Sequence, residues 1–480
     1  MARAASIVIL VLLTGIHPRA SFAGDITGNA ASLLSDPLRS VPEALTLGVR
    51  PPGSVQPLVC LPTRAMDKEL SLHDAVHMAL CANPKVQLAW IAIKTQANNL
   101  GQARSSYLPK VNASARRLND STWLSDGRQS ASTERWGTSA SVSMIWRLLD
   151  FGTRGHNVDA ANDLLAAALA THDAVLQQTM ASVIQAYFDV QAAQALLDGR
   201  QASLALARST QDTALRKVSA GSGSMSESLQ TKTAMARAML EVSRAEGSLA
   251  QAQVVLANAI AVSPESRIKL PVLSAPDGAQ LQKALQSWLS EAREQHPAIT
   301  AARLQEAAAK AQVKSVRADG LPSLDLMAAY YRNGRPEQGL SSSPVRERQI
   351  GVVLNIPLFE GFERTYRIRS AETIAEQRQA ELRDVELKIA TEVAQAYAGA
   401  SAALKGLEAS DLLLQSAKES QASSNRRYQH GVADVLEVLS TQQALADAQQ
   451  QRSRSVAEWH AASLRLVAAA GRLGMLELEN

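Results

Sequence analysis

The chain has 480 residues, of which 46% are hydrophobic but only 4% are aromatic, and its formal net charge is +4. Few large rings among many small and aliphatic residues favour long helices with close interfaces over a bulky globular core. The small net charge excludes a strong nucleic-acid-binding field, so no nucleic-acid partner is expected.

The first 23 residues have the pattern of a secretory signal peptide. Arg3 gives a positive start, residues 7–16 form a short apolar run, and Ser21 and Ala23 are small residues before a cut at Gly24. A buried N-terminal helix is the less favoured alternative. No later run reaches the ~18 apolar residues that a membrane helix needs. We therefore expect a periplasmic, secreted or outer-membrane strand protein.

Residues 24–66 are rich in proline and form either an extra arm or a linker. Cys60 lies in this extension, far from the predicted cleavage site, which disfavours a lipid-anchored N-terminal cysteine. Cys60 and Cys81 suit an oxidising compartment, but the sequence leaves a disulfide and two free thiols as equal alternatives.

The rest of the chain contains an internal repeat. Asn83-Pro84 matches His296-Pro297 at an offset of 213, and the segment ending at Arg154 matches the segment ending at Arg364 at an offset of 210. One three-residue length difference explains both offsets. We therefore divide the chain into repeat 1, residues 67–270, and repeat 2, residues 271–480.

In repeat 1, residues 70–105 have helical periodicity with Ser71 as the cap, and Pro109 ends the pattern. A β-hairpin is predicted over about 108–147, with a polar loop from Asn119 to Arg135. A helix of about 60 residues then runs from His156 to Lys217, with leucine and valine recurring every seven residues. A tip turn at about 218–224 and a return helix complete the unit.

Repeat 2 has the same order of elements. A helix precedes a β-hairpin over about 321–358, whose loop runs from Arg332 to Arg348. A long helix with alternating a and d apolar positions follows, then a tip turn at about 428–433 and a return helix. The offset of 210 is a whole number of heptads, so both copies keep the same phase.

Four short strands per chain cannot close a barrel, because bacterial outer-membrane barrels begin at about eight strands and an open edge in lipid leaves backbone groups unpaired. Three chains would supply twelve strands. Aromatic residues gather in or beside these strands, which suits a membrane–water boundary, with simple packing as the alternative: Trp123, Trp136, Trp146, Tyr330 and Tyr331, together with Tyr107.

The residues after each hairpin, 148–152 and 356–361, and the segment 427–439 resemble the duplicated signatures of the TolC family of outer-membrane efflux and secretion factors. This resemblance covers about Leu70 to Leu473. It implies an α+β membrane protein: a homotrimer with a twelve-stranded outer-membrane β-barrel continued by an α-helical periplasmic barrel with a closable tip. The expected location is the outer membrane of a Gram-negative cell, with a long periplasmic extension.

The resemblance also assigns residues to the tip. Glu227 and Glu437 are the candidates for an acidic ring, and Tyr428 matches the tyrosine that ties the tip shut. Ser440 and Ala433 stand where a second acid and an arginine can occur, which puts the second ring and an arginine latch in doubt. Asp434 is either a substitute constriction residue or a solvated helix-start charge. Four turn residues are expected to contact an adaptor: Gly221, Gly223, Gly431 and Val432.

The predicted function is the exit duct of a tripartite export system, with a periplasmic adaptor (membrane fusion protein) and an ABC or proton-driven inner-membrane transporter as partners. A general likeness to the channel partners of RTX-toxin exporters favours type I protein secretion, with multidrug or small-molecule efflux as the alternative. A soluble periplasmic coiled-coil adaptor is less favoured, because the chain has two hairpins of each kind. His73 and His77 have the spacing of zinc ligands but lack a third ligand, so neither an enzyme nor a cofactor is expected.

Overall fold

The computed structural model describes residues 36–48, 60, 69–125, 130–266, 268–271, 281, 283–335, 340, 345–430 and 432–474. The predicted signal peptide and most of the proline-rich extension lie outside these residues. The chain divides into two compact units, residues 1–40 and 41–480. In the described part of the first unit, Asp36 Oδ1 accepts hydrogen bonds from the backbone N–H and the hydroxyl of Ser40, at 2.8 and 3.0 Å.

The second unit begins with a short helix and then contains the first copy of the repeat. Its elements, in chain order, are α1 (Glu43–Leu47), α2 (Leu72–Ala82), α3 (Pro84–Ser105), β1 (Lys110–Ser125), β2 (Ser130–Leu149), α4 (Thr153–Ser219) and α5 (Met225–Ala259). Cys60 and Cys81 form a disulfide bond with their Cα atoms 5.5 Å apart, so the free-thiol alternative is wrong. This bond fixes residue 60 to the end of α2.

The second copy repeats this order with α6 (Leu285–Gln295), α7 (Pro297–Asp319), β3 (Ser323–Arg332), β4 (Arg346–Asn355), α8 (Glu363–Gln429) and α9 (Val435–Ala469). Helices α6 and α7 begin 213 residues after α2 and α3, and helices α8 and α9 begin 210 residues after α4 and α5. Helices α4 and α8 each have 67 residues, and α5 and α9 each have 35. The element boundaries therefore follow the sequence repeat closely.

The single helix predicted over residues 70–105 is wrong, because the chain forms two helices there. Ser71 caps α2 as predicted, its hydroxyl accepting from the Asp74 backbone N–H at 3.1 Å. The helix ends at Asn83, since the residue before a proline is driven out of the helical region. Asn83 then caps α3 by accepting from the Lys85 backbone N–H at 2.9 Å.

The polar loop predicted from Asn119 to Arg135 is also wrong for most of its length. Strands β1 and β2 continue through it, with Asn119 opposite Trp136 and Ser125 opposite Ser130. Within this stretch Asn119, Asp120 and Ser121 place polar side chains on both faces of β1, so the polarity of the stretch does not indicate a loop. The predicted second loop is shorter too, because β4 begins at Arg346.

The four strands form one antiparallel sheet in the order β1-β2-β3-β4. In the part of the chain that the structure describes, β1 and β4 each pair with one neighbour and present one free edge. None of the described helices is long and apolar enough to cross a membrane.

Each hairpin returns to a long helix through a tight backbone reversal. Phe151 and Gly152 have φ values of 50° and 102°, and Gly361 and Phe362 have values of 59° and 68°. A left-handed conformation is costly for a bulky residue, so the surrounding contacts must hold it in place. Arg154 contributes to this by donating to Asp150 Oδ2 at 2.8 Å and to the Arg147 carbonyl oxygen at 2.7 Å.

The main apolar core lies where the short helices cover the middle of the long ones. Residues of α2, α4, the end of α5 and the end of α9 form one cluster, and α4 contributes Leu176, Val183 and Val190 at the predicted seven-residue spacing. A second cluster joins α6, α8 and α9 through Trp288, Val393 and Leu466 among others. The heptad pattern thus predicted which side of each long helix is buried.

Candidate functional site

The two long-helix hairpins end in short turns, residues 220–224 and 430–434, which we call the tip. In the first turn Gly221 has φ of 73°, a left-handed conformation that favours glycine. A Cβ on Gly223 would lie 2.8 Å from Lys217 Cβ and 2.9 Å from Val218 N, so no side chain fits there. Both predicted glycines are therefore needed for the geometry of the turn.

The second turn uses a different sequence for a similar backbone. The Val432 N–H donates to the Arg427 carbonyl oxygen at 2.9 Å, and the Ala433 N–H does so at 3.3 Å. Val432 is largely exposed, and its contact with an adaptor stays a prediction. Gly431 lies outside the described residues.

Tyr428 joins the two copies of the repeat at the tip. Its side chain is only 5% exposed, and its hydroxyl donates to Glu227 Oε1 at 2.5 Å across 201 positions of sequence. Lys217 Nζ lies 3.6 Å from the centre of the Tyr428 ring, within the range of a cation–π interaction. The tyrosine predicted from the family resemblance is therefore bound to one of the two predicted acids.

The surroundings of Tyr428 keep its hydroxyl protonated. Burial raises the pKa of Tyr428, and the negative charges of Glu227 and Asp434 raise it further. A raised pKa means that the bond to Glu227 is fully present below pH ~10, the ordinary tyrosine value, and is lost only as pH rises through the higher value.

Glu437 and Glu227 occupy equivalent positions in the two repeats but have different partners. Arg427 Nη1 lies 2.7 Å from Glu437 Oε1, forming an ion pair within the second hairpin. Lys217 is the repeat mate of Arg427, yet it lies over the Tyr428 ring instead. Sequence reasoning missed both cations, although the matching of residues 217 and 427 at the repeat offset pointed to them. An arginine thus binds a tip acid although Ala433 occupies the position where the family can have one.

Asp434 acts as a helix cap in this structure. Its Oδ1 accepts from the Leu436 backbone N–H at 2.5 Å and thereby satisfies one of the free donors at the start of α9. Ser224 does the same at the start of α5, accepting from the Glu227 N–H at 3.2 Å. Of the alternatives for Asp434, the structure favours the helix-start role.

The sheet has two chemically different faces. Strand alternation and register place the apolar face on odd-numbered residues of β1 and even-numbered residues of β2, β3 and β4. Its lower part is apolar and largely exposed, with Ile350 81% exposed, and includes Val111, Val142, Val352 and Leu354. The opposite polar face carries Asn112, Ser114, Ser141, Ser143, Asp325 and Gln349.

Four of the five predicted boundary aromatics lie on the apolar face. Trp123 and Trp136 are 76% and 71% exposed, and Tyr330 and Trp146 are partly exposed on the same side. Trp146 Nε1 donates to the Tyr107 carbonyl oxygen at 2.9 Å. Tyr331 lies on the polar face, because neighbouring strand residues point to opposite sides, so it cannot share the setting of Tyr330.

Sequence reasoning missed two further aromatic residues beside the sheet. Phe359 and Phe362 form an edge-to-face pair with ring centres 5.5 Å apart, and both are largely exposed. They follow β4 at the end of the sheet nearest the helices. Rings at this end and at Tyr330 bracket the apolar part of the face, whereas Trp136 lies six positions further out along β2 than Val142, the partner of Tyr330. Among the described residues, no group of three or more His, Cys, Asp or Glu could hold a metal ion.

The duplicated helices and two-faced sheet agree with comparisons to known proteins. The sequence model of the outer membrane efflux protein family matches residues 75–262 and 288–472. The chain belongs to this family. Protein CyaE of Bordetella pertussis is 34% identical over 429 residues, which cover 88% of this chain and 89% of CyaE. The alkaline protease secretion protein AprF of Pseudomonas aeruginosa is 25% identical over 193 residues, which cover 40% of each chain.

A solved structure shows the same fold. The outer membrane protein VceC of Vibrio cholerae superposes with a TM-score of 0.71 at 21% identity, covering 83% of this chain and 96% of VceC. The predicted membership of the TolC family, the helix-rich α+β fold and the outer-membrane location are therefore confirmed. As an outer membrane efflux protein, the chain has the general role of an export channel.

Proposed function

We propose that three copies of this outer membrane efflux protein pool their sheets into one twelve-stranded barrel. The supporting observation is the sheet of four described strands, which has one apolar exposed face and two free edges. In lipid each unpaired backbone group costs several kcal/mol, so β1 of one copy pairs with β4 of the next until the wall closes. The apolar face then contacts lipid, and the polar face lines the lumen.

The helices extend this pore into the periplasm. At 1.5 Å per residue the 67 residues of α4 or α8 span about 100 Å, far beyond a bilayer, and their surfaces carry many charged residues. Residues 67–270 and 271–480 are the two repeats, each contributing one helical hairpin to the periplasmic tunnel. The tip meets a periplasmic adaptor, which is coupled to an inner-membrane transporter of the ABC or proton-driven class.

The tip is the closable end of the duct. The hydrogen bond from Tyr428 to Glu227 links the first hairpin to the second within one chain. Separating these hairpins breaks this bond and removes Lys217 from the Tyr428 ring. The exposed turn residues Gly221 and Val432 are the surface that the adaptor contacts.

The cargo that we propose is protein, exported in one step by type I secretion. The relative AprF is an alkaline protease secretion protein, which supports this choice. The family description, efflux, supports the alternative of drugs or other small molecules. In the host, deletion of the gene should abolish release of a protein substrate and leave drug sensitivity unchanged; the reverse result would favour the alternative.

The channel itself is tested on the purified protein. We expect a detergent-extracted particle with the mass of three chains by light scattering, and steady conductance when it is added to planar bilayers. A folded monomer that stays water-soluble without detergent would overturn the proposal. Recovery from the soluble periplasmic fraction of cells would favour the adaptor class instead.

A further inference from the structure

The apolar face carries a set of exposed arginines at the end of the sheet far from the helices. This arginine cluster consists of Arg117 on β1, Arg332 on β3, and Arg346 and Arg348 on β4. All four residues lie on the same face as Val142 and Ile350 by strand register. The cluster is therefore a group of positive charges next to the apolar lower part of this face.

The cluster brings like charges close together. Arg332 and Arg346 are directly opposite cross-strand partners, and Arg348 is two positions further along β4. Like charges directly opposite on a sheet repel, and side chains at diagonal positions are still within reach of long residues. This arrangement destabilises the hairpin unless an anion lies between the guanidinium groups.

No protein anion fills this role among the residues that the structure describes. None of the four arginines forms a salt bridge with a described carboxylate. Glu134 is an acid on the same face, but it lies four positions beyond Thr138, the partner of Arg117, and accepts a hydrogen bond from Asn119 at 2.6 Å. The cluster is thus uncompensated within the described chain.

Two arginines on the polar side of the sheet are paired within the chain. Arg147 Nε lies 2.9 Å from Asp325 Oδ1, and Arg335 Nε lies 3.0 Å from Glu347 Oε2. Ion pairs between arginine and a carboxylate are therefore found on the polar side, although Arg135 on that face forms none with a described carboxylate. On the apolar side all four arginines are exposed, which favours an anionic partner.

The height of the cluster identifies that partner. Arg348 and Leu354 are six residues apart on β4, or about 20 Å along the strand, and Ile350 and Val352 lie between them on the same face. Tyr330, opposite Arg348, marks the outer boundary of this apolar stretch. The arginines thus begin where acyl chains end and headgroups start, at the end of the sheet away from the periplasmic helices.

We propose that the arginine cluster binds the phosphate groups of a phosphorylated lipid in the outer leaflet of the outer membrane. Guanidinium groups bind phosphate oxygens through two parallel hydrogen bonds, and several arginines together suit a headgroup with more than one phosphate. The acyl chains of the same lipid would cover Ile350 and Val352. This inference rests on the proposed membrane insertion of the sheet.

The test compares lipids with and without phosphate. Full-length protein in detergent is titrated with bisphosphorylated lipid A and with its dephosphorylated form, and binding is followed by native mass spectrometry. The wild type should prefer the phosphorylated form. The double variant Arg332→Gln, Arg348→Gln should bind it about 30-fold more weakly, since each interfacial arginine contributes about fivefold.

A matched control removes two arginines from the polar face of the same sheet, one on β1 and one on β2. Arg116→Gln with Arg135→Gln lowers the net charge equally and should leave the preference intact. Equal affinity of the wild type for both lipid forms would overturn the inference, as would equal losses in the two double variants. If millimolar inorganic phosphate displaced the lipid completely, the cluster would be a site for free phosphate. That result would also overturn the inference.

Membrane insertion is scored separately from lipid binding. Each variant is first recovered from the outer-membrane fraction and checked for conductance. If the wild type is absent from that fraction, the proposed channel fails. If it is inserted and conducting but shows no preference for the phosphorylated lipid, only the lipid site fails.

Discussion

Tyr428 makes two separable interactions, one through its hydroxyl and one through its ring. The hydroxyl donates to Glu227, and the ring lies beneath Lys217 Nζ. Because these contacts connect the two hairpins of one chain, they oppose separation of the hairpins. A hydrogen bond to a charged group contributes roughly 1.5–3 kcal/mol, whereas the cation–π contact contributes about 1 kcal/mol.

Replacing the hydroxyl alone tests this connection. Tyr428→Phe keeps the ring over which Lys217 lies and removes the bond to Glu227, so the tip should open more often. We expect longer or more frequent open periods in planar-bilayer recordings. Tyr366→Phe is the matched control, because Tyr366 is exposed on α8 and contacts Arg369 through its ring. Identical gating of both variants would contradict a latch at Tyr428.

The two tip acids predict ion selectivity. If Glu227 and Glu437 from three chains line the narrow end, replacing both with Gln should reduce the preference for cations measured as a reversal potential. Glu246→Gln with Glu408→Gln removes two exposed acids away from the tip and should leave selectivity unchanged. Unchanged selectivity in the tip variant would reject the assignment of these acids to the pore.

At the level of single helices, His296 and Asn83 perform the same task in the two repeats. Asn83 accepts from the Lys85 N–H, and His296 Nδ1 accepts from the Ala298 N–H at 3.1 Å. The histidine can do this only when Nδ1 is unprotonated. Burial lowers the pKa of His296, in keeping with a neutral ring at the start of α7.

This cap predicts an acid-sensitive stability. A histidine whose pKa is lowered on folding contributes stability that is present above pH ~6.5 and lost as pH falls through the lower value. His296→Asn should keep the cap, as Asn83 does, and flatten the loss of thermal stability between pH 7.5 and pH 5. Ala at this position should instead lower stability by about 1 kcal/mol at pH 7.5 and by less at pH 5, where the wild-type cap is weakened. An unchanged pH dependence in the Asn variant would refute the role of His296.

The sequence predicted these elements unevenly, for physical reasons. The order and length of the long helices followed from periodicity, because burial of one helical side repeats along the chain. The break before Pro84 was predictable from proline sterics but was overlooked. The outer halves of β1 and β2 were not predictable from alternation, because the polar residues Asn119, Asp120 and Ser121 fall on both faces of β1 and hide the period-two pattern. The contacts between Lys217, Glu227 and Tyr428 at the tip depend on how two hairpins that are distant in sequence pack together. A local sequence pattern carries no information about that packing.

For the whole molecule, the arrangement of sheet and helices predicts opposite exposure of its two ends. Ser132 lies near the far end of β2 and Ser226 lies at the tip, and both are exposed. Ser132→Cys should react with a membrane-impermeant maleimide in intact cells. Ser226→Cys should react only after the outer membrane is broken. Cys60 and Cys81 are joined in a disulfide, so neither thiol reacts with the maleimide and the background labelling is low. The reverse labelling pattern would invert the proposed topology.

The equal lengths of the paired helices limit how such a chain can change over evolutionary time. An insertion of one heptad in α4 alone would advance its turn by about 10 Å and carry Glu227 away from Tyr428, which would stay behind with α8. A matching insertion of one heptad in α8 would bring Tyr428 back beside Glu227. We therefore expect an insertion or deletion in one copy of the repeat to need a matching change in the other, since a change in only one half would separate Glu227 from Tyr428.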